Sequence, residues 1–395
     1  MEGYLGSLIR RERLKRHLSQ EGLCSGICAV SYLSKIEQGK VDAGDDILQQ
    51  LLERLGVQPE SDRAFLNQAE KAIALLYELI FSGMEELPQF QDKLNWLAGR
   101  RDRCLASPYM VDTLLLLTYC GKSTGGGDAE EFVPVMTRSQ YEFWLLLRVR
   151  KAAAPDEGAA AADELLRLND SSFYTCTVAA ALYEAGKSAG ALPLFLRSYE
   201  KAAAEGRVQL MLRCKLYLGS CYSEAGQKEL MLQQFEVARR IAGALQSELW
   251  SATVDYRLGS ACLEWGMAEE AYALLQPLSR HDGVYYHRMA LVMEKLGRTN
   301  EALSMLSRAK AAPVEAGAKP YMKEILALAE YRLRRPNREA DGTYFSMMRD
   351  TFALLRRQAA HAQVRLHLPY MLQALEAERR YKEAYQLAKE FSRLG

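Results

Sequence analysis

A group of side chains near the start of the chain, Arg10, Arg11, Gln20, Ala29, Val30, Ser31, Ser34, Lys35 and Lys40, has the types and spacing to recognise a grooved polyanion. The stretch SYLSKIEQGK (Ser31 to Lys40) puts Leu33 and Ile36 three apart, a narrow apolar stripe on a short helix. Ser31, Ser34, Lys35 and Gln38 are left for the other faces. Ala29 and Val30 are small enough for close approach and can meet a thymine methyl, while a serine can bond either base partner. Ahead of them, RRERLKR sets Arg10, Arg11, Arg13, Lys15 and Arg16 against Glu12 alone. Such an excess suits phosphate contacts, which orient a protein on a duplex and make binding salt-sensitive.

Those residues need a frame. Leu5, Leu8, Ile9 and Leu14 recur at helical spacing, and Ser19 stands before QEGLCSGI as an N-cap. The spacing predicts a helix over Leu18 to Ile27, a turn, and a second helix over Cys28 to Gln38. Leu23, Ile27, Leu33 and Ile36 would lock the two together. Gly39 stops the second helix, and Asp45 or Asp46 can cap another, DILQQLLERLG, that ends at Gly56. In a helix-turn-helix the first helix braces against phosphate and the second lies in the major groove. Gln20 would then sit at the positive end of the first helix beside the backbone.

Beyond about residue 60 the chain repeats itself. YEAGKSAGALPLF, SEAGQKELMLQQF, LEWGMAEEAYALL and EKLGRTNEALSML align on Gly186, Gly226, Gly266 and Gly297. Five residues later come Ala191, Met231, Ala271 and Ala302; nine later come Phe195, Phe235, Leu275 and Leu306. LYLGSCY and YRLGSAC add Gly219 and Gly259 ahead of the turn. Small residues let antiparallel helices approach, and large apolar ones fill the seam between neighbouring pairs. LQALEAERRYKEAYQLAKEF is a degenerate last copy with Ala384 in the alanine position, and further helix pairs fit before Phe173 and between Pro320 and Gln358. GKSTGGG (from Gly121) and the Pro155/Gly158 region read as breaks.

If the inner helices share a register, Phe173, Tyr183, Glu184, Arg213, Ser220, Ser223, Glu224, Thr253, Tyr256, Ser260, Glu264, His287, Glu294 and Lys295 face one groove. Glu184, Glu224 and Glu264 hold one equivalent position in three successive repeats. As a column they would favour a ligand with a basic residue or a free amino terminus; the competing reading is three solvated residues near a turn.

LSQEGLCSGICAVSYLSKIEQGK resembles the helix-turn-helix of the Xre/lambda-repressor-like superfamily, and its IC-x-x-S-x-L-S-K-I-E run looks like the PlcR and NprR regulators of Gram-positive bacteria. The repeats resemble the tetratricopeptide repeat, matched best by Leu218 to Phe235. The whole is similar to the RRNPP group of peptide quorum-sensing regulators. The expected fold is all-α: a lambda-repressor-like helix-turn-helix domain (1–60), a connecting helix (61–80) and a right-handed superhelical tetratricopeptide-like array (81–395). The resemblance implies a homodimer formed through the repeats, a pseudo-palindromic double-stranded DNA operator, and a short signalling peptide in the concave groove. Members of the group often hold the peptide through inner-helix asparagines. Here Asn67, Asn95, Asn169, Asn300 and Asn337 all miss the inner positions of the aligned repeats.

Composition narrows the rest. At 395 residues, 49% hydrophobic, 26% charged and a net charge of +1, the chain suits a globular protein of more than one unit whose basic character is local. The eight cysteines show no CxxC pair and read as reduced, half-buried residues. Neither a signal peptide nor an apolar run of bilayer length is visible, so a cytoplasmic protein without membrane contact is expected. GKST lacks the glycine of a phosphate-binding loop, since Leu116 stands in its place. No catalytic constellation, metal site or cofactor motif appears, so no enzyme is expected. Two other readings remain open: a repeat domain that docks a signalling protein, as in the Rap branch of the group, and a DNA-binding regulator without a ligand.

Overall fold

The computed structural model describes residues 3–122, 129–151, 155–280, 282–312, 320–335, 342–358 and 360–392. Most of GKSTGGG lies outside them. Among the described residues the structure is helical without strands. Backbone contacts divide the chain into two compact units, Met1–Val178 and Ala179–Gly395.

The first unit opens with α1 (Gly3–Lys15), α2 (Gln20–Cys24), α3 (Val30–Glu37) and α4 (Asp45–Leu55). Leu8, Ile9, Leu23, Leu33, Ile36, Leu48, Leu51 and Leu55 close a core of their own. Ser19 caps α2 as expected, its Oγ accepting from the Gly22 N–H at 2.9 Å. Gly56 ends α4 in the left-handed region, at φ 60°. Three local expectations shift. α2 is shorter than Leu18–Ile27, because the chain turns at Gly26, whose φ of 74° suits only glycine. α3 begins at Val30 rather than Cys28. Gly44, not an aspartate, occupies the N-cap of α4, and Asp45 and Asp46 fall in its first turn, where they favour the positive end of the helix. A β-carbon on Gly6 would stand 2.1 Å from the carbonyl oxygen of Ile36, so glycine there is what lets α1 cross α3.

The unit continues through α5 (Arg63–Ser82), α6 (Pro88–Gly99), α7 (Arg101–Leu105) and α8 (Met110–Tyr119), a 3-10 helix (Ala129–Val135), α9 (Arg138–Lys151) and α10 (Pro155–Leu168). Pro155 opens α10, so this stretch begins a helix where a break is expected and Gly158 falls inside it. Arg103 fixes the start of α5: it pairs with Glu60 at 2.5 Å and Asp62 at 3.2 Å and lies over the Phe65 ring.

Helical hairpins build the second unit, except that α11 (Ser172–Glu184) starts before its boundary. They pair α11 with α12 (Ser188–Ala204), α13 (Val208–Glu224) with α14 (Lys228–Ala244), and α15 (Glu248–Glu264) with α16 (Ala268–Leu275). α17 (Gly283–Lys295) pairs with α18 (Thr299–Ala311), α19 (Met322–Arg334) with α20 (Gly342–Arg357), and α21 (His361–Ala377) with α22 (Tyr381–Ser392). Gly186, Gly226, Gly266 and Gly297 turn the first four hairpins at φ between 70° and 75°. Ala191, Met231, Ala271 and Ala302 are fully buried. A β-carbon on Gly219 would meet the Phe235 ring at 2.7 Å, and one on Gly259 would meet Leu275 at 2.8 Å, so the repeat signature records close helix approach. The glycine step falls from 40 to 31 residues because α16 has 8 residues where α14 has 17.

Candidate functional site

In the N-terminal unit the site is the outer face of α3. Val30 is 41% exposed, and Ala29, Ser31, Lys35 and Lys40 are also at the surface. Ser34 is half-buried and accepts from Gln38 Nε2 at 3.1 Å. Leu33 and Ile36 point inward, as their spacing predicts. Arg10 is half-buried.

What holds this face in place is a buried ion pair. Arg13 Nε and Nη2 donate to Glu37 Oε1 and Oε2 at 2.6 and 2.9 Å, and Arg13 Nη1 donates to the Leu18 carbonyl at 2.8 Å. Gln20 Nε2 donates to the same carboxylate at 2.8 Å. One acid thus ties α1, the start of α2 and the end of α3 together. This pair is absent from the sequence reading, in which Arg13 belongs to a basic surface. The structure corrects Arg11 likewise: it is 8% exposed and paired with Glu12 at 2.7 Å, and burial holds its pKa below the usual arginine range. It does not lie on the open face. Of the basic run, Lys15 and Arg16 are exposed, and Arg16 pairs with Glu12 at 2.5 Å. Gln20 keeps its place at the α2 N-terminus, and its amide is engaged with Glu37.

In the second unit, the first helices of four successive hairpins converge with α21 on a cavity of about 240 Å³. Tyr183, Ser220, Ser223, Tyr256, Ser260 and Glu264 line it, all of them expected from the repeat register. Ser220 and Ser260 bond their hydroxyls back to the Leu216 and Tyr256 carbonyls, and Ser223 accepts from Trp265 Nε1 at 2.9 Å. Arg257, Ala261, Arg288, Ala362 and Arg365 complete the wall and are missed by the sequence reading. Arg257 and Arg288 each follow a register position by one residue, so a wider window on the inner face would include them. Arg365 carries no local signal, because α21 reaches the cavity only through long-range folding.

The acidic column comes apart. Arg365 Nη2 pairs with Glu224 at 2.7 Å, and its Nε stands 3.8 Å from Glu264. Glu184 is exposed and does not line the cavity. Burial raises the pKa of Glu264, against the pull of Arg365 and Arg288. Burial and then Glu224 raise that of Tyr183. The cation expected from a ligand is thus supplied by the chain itself.

Other register positions diverge. Phe173 belongs to the first unit, is 1% exposed and packs edge-on against Phe81 of that same unit. His287 is fully buried and stacks on His367 of α21, with ring centroids 5.7 Å apart. Both are core residues. Glu294 pairs with buried Arg332 at 2.5 Å, and exposed Lys295 lies over Tyr370. Arg213 and Thr253 are half-buried outside the cavity, and Thr253 bonds back to the Leu249 carbonyl.

These features define a helix-turn-helix domain in a chain that also carries tetratricopeptide-like helical hairpins. Residues 9–61 match the helix-turn-helix family HTH_3. Among solved structures, the chain is similar to the apo form of the quorum sensor NprR from B. thuringiensis, at a TM-score of 0.53 and 15% identity, covering 83% of this chain and 99% of that one. It also matches Bacillus thuringiensis PlcR in complex with the peptide PapR7 and DNA, at 15% identity over 77% of this chain and 99% of that one, with a TM-score of 0.30. The first likeness is one of fold. No curated protein sequence matches the chain. Among the described residues no helix is long and apolar enough to cross a membrane, and no group of His, Cys, Asp or Glu could hold a metal ion.

Proposed function

We propose that this protein is a transcriptional regulator, working in the cytoplasm as a homodimer, that binds a pseudo-palindromic double-stranded DNA operator and answers to a short peptide held among its repeats. The observation that carries the reading is the front of α3. Val30, Ser31 and Lys35 stand exposed on a short helix that the Arg13–Glu37 pair fixes against α1 and α2. A helix so presented fits a major groove, with small side chains toward base edges and lysines toward phosphate. Two-fold symmetry would set half-sites one helical turn apart, or a multiple of it.

The polar cavity supports the sensing half of the reading, and so does a fold shared with NprR, a quorum sensor. A peptide can act only through different affinities for two arrangements of the protein, those that permit and forbid operator binding. The test is selection of a bound site from random duplex DNA by the full chain, followed by titration of the winner with and without candidate peptides. Enrichment of a two-fold site whose affinity shifts with peptide is expected. A pool that stays random through repeated rounds, with the protein folded, sinks the reading.

A further inference from the structure

The cavity between the repeats and α21 has a charge that the acidic column conceals. Arg365 engages Glu224 and approaches Glu264, one cation against two carboxylates, and with Arg257 and Arg288 the region holds three guanidinium groups against two acids. Arg257 and Arg288 remain. Among the described residues neither has a carboxylate at ion-pair distance. Arg288 acts on Glu264 only at longer range. Aromatic faces position both: Arg257 lies over Tyr217 at 4.6 Å from the ring centroid, and Arg288 over Tyr256 at 4.9 Å. Stacking on a ring fixes the plane of a guanidinium while leaving its N–H edge free to donate.

We infer that this cavity anchors its ligand through a carboxylate held by Arg257 and Arg288, the reverse of the polarity that the glutamate column suggests. Two guanidinium groups beside Ser260 and Tyr256 offer a carboxylate charge-assisted bonds, bidentate where the fork meets both oxygens. The volume, about 240 Å³, lies below the range of roughly 300–1,000 Å³ typical of whole small-molecule sites. It suits the end of a peptide with a side chain or two. The inference rests on the peptide-sensing reading and names the group that such a peptide must present.

The test uses the full chain and three synthetic heptapeptide libraries. The first is randomised without Asp or Glu and has a free C-terminus; the second is the same with an amidated C-terminus; the third is amidated with Asp and Glu restored. Peptides retained by the protein are counted by mass spectrometry. The expected result is that a carboxylate-bearing library is retained roughly ten- to a hundredfold over the carboxylate-free one. The first library winning assigns a chain terminus, the third an acidic side chain. Arg288→Met and Arg257→Met should each remove most of that preference while unfolding at the temperature of the parent. Equal retention of all three libraries overturns the carboxylate anchor and leaves peptide sensing standing. Retention of none overturns both.

Discussion

Arg13 grips Glu37 through two hydrogen bonds, at 2.6 and 2.9 Å, across 24 positions of sequence and almost out of reach of water. The pair joins α1 to the end of α3, and Gln20 adds the start of α2 to the same carboxylate. Replacing Glu37 with Ala strands a buried guanidinium, a loss of about 3–5 kcal/mol for such a site. The N-terminal domain should lose helicity well below the parent's unfolding temperature, and operator binding with it. Circular dichroism and band shift at 25 °C check this; wild-type behaviour in both would mean the pair does not carry the fold.

Phosphate contact and structural charge separate in the same helices. Lys35 and Lys40 are exposed, whereas Arg11 is buried against Glu12. For each lysine that touches phosphate, changing it to Ala should lower the slope of log affinity against log salt by about 0.9. Arg11→Ala should leave that slope unchanged and lower the unfolding temperature. Fluorescence anisotropy on the selected operator over a salt series decides; a shallower slope for a well-folded Arg11 variant would return that residue to the DNA face.

Arg365 should act as a clamp between α21 and the repeats. Arg365→Met leaves Glu224 without its cation and Glu264 with only the longer-range pull of Arg288, which should destabilise the second unit by about 3 kcal/mol at neutral pH. The sign with pH follows from the carboxyl groups. Burial already raises the Glu264 pKa, and loss of the cation raises it further, so ionisation on going from pH 5 to pH 8 works against the folded variant. Its deficit relative to the parent should grow over that interval. Denaturant unfolding at the two pH values measures it, and a constant deficit would mean that the carboxylates do not feel Arg365.

Acid should loosen the same contact through the stacked histidines. Burial lowers the His367 pKa from 6.5 to about 4 and pushes that of His287 well below 6.5; neighbouring Arg332 lowers both, and His287 also feels His367 and Arg288. His367 Nδ1 donates to the Gln363 carbonyl at 2.9 Å, which raises its pKa in part, and Tyr370 lies beside the ring. Between those pKa values the unfolded chain binds more protons than the folded one. Stability is therefore fully present above about pH 6.5 and falls as pH drops toward 4, by roughly 3 kcal/mol for His367 alone. His367→Phe should flatten the acid limb of the unfolding profile. An unchanged limb would assign the titration elsewhere.

Much of this protein is legible locally. A 3.6-residue period fixes both that a segment is helical and which stripe of it is apolar, so the burial of Leu33, Ile36 and the seam residues Phe195, Phe235, Leu275 and Leu306 follows from spacing alone. Glycine at four aligned turns is equally local, because only a left-handed φ reverses the chain there without strain.

The exposed front of α3 and six residues of the cavity wall follow from the same register. The partners of the charges do not. Whether Arg13, Glu224 or His287 meets water or protein depends on residues distant in sequence, Glu37 for Arg13 and, for the other two, α21 folding back across the inner helices to bring in Arg365 and His367. A helix's own sequence determines its faces; what covers a face is set by the rest of the fold, since the free energy of a buried charge depends on its spatial neighbours and not its sequence neighbours.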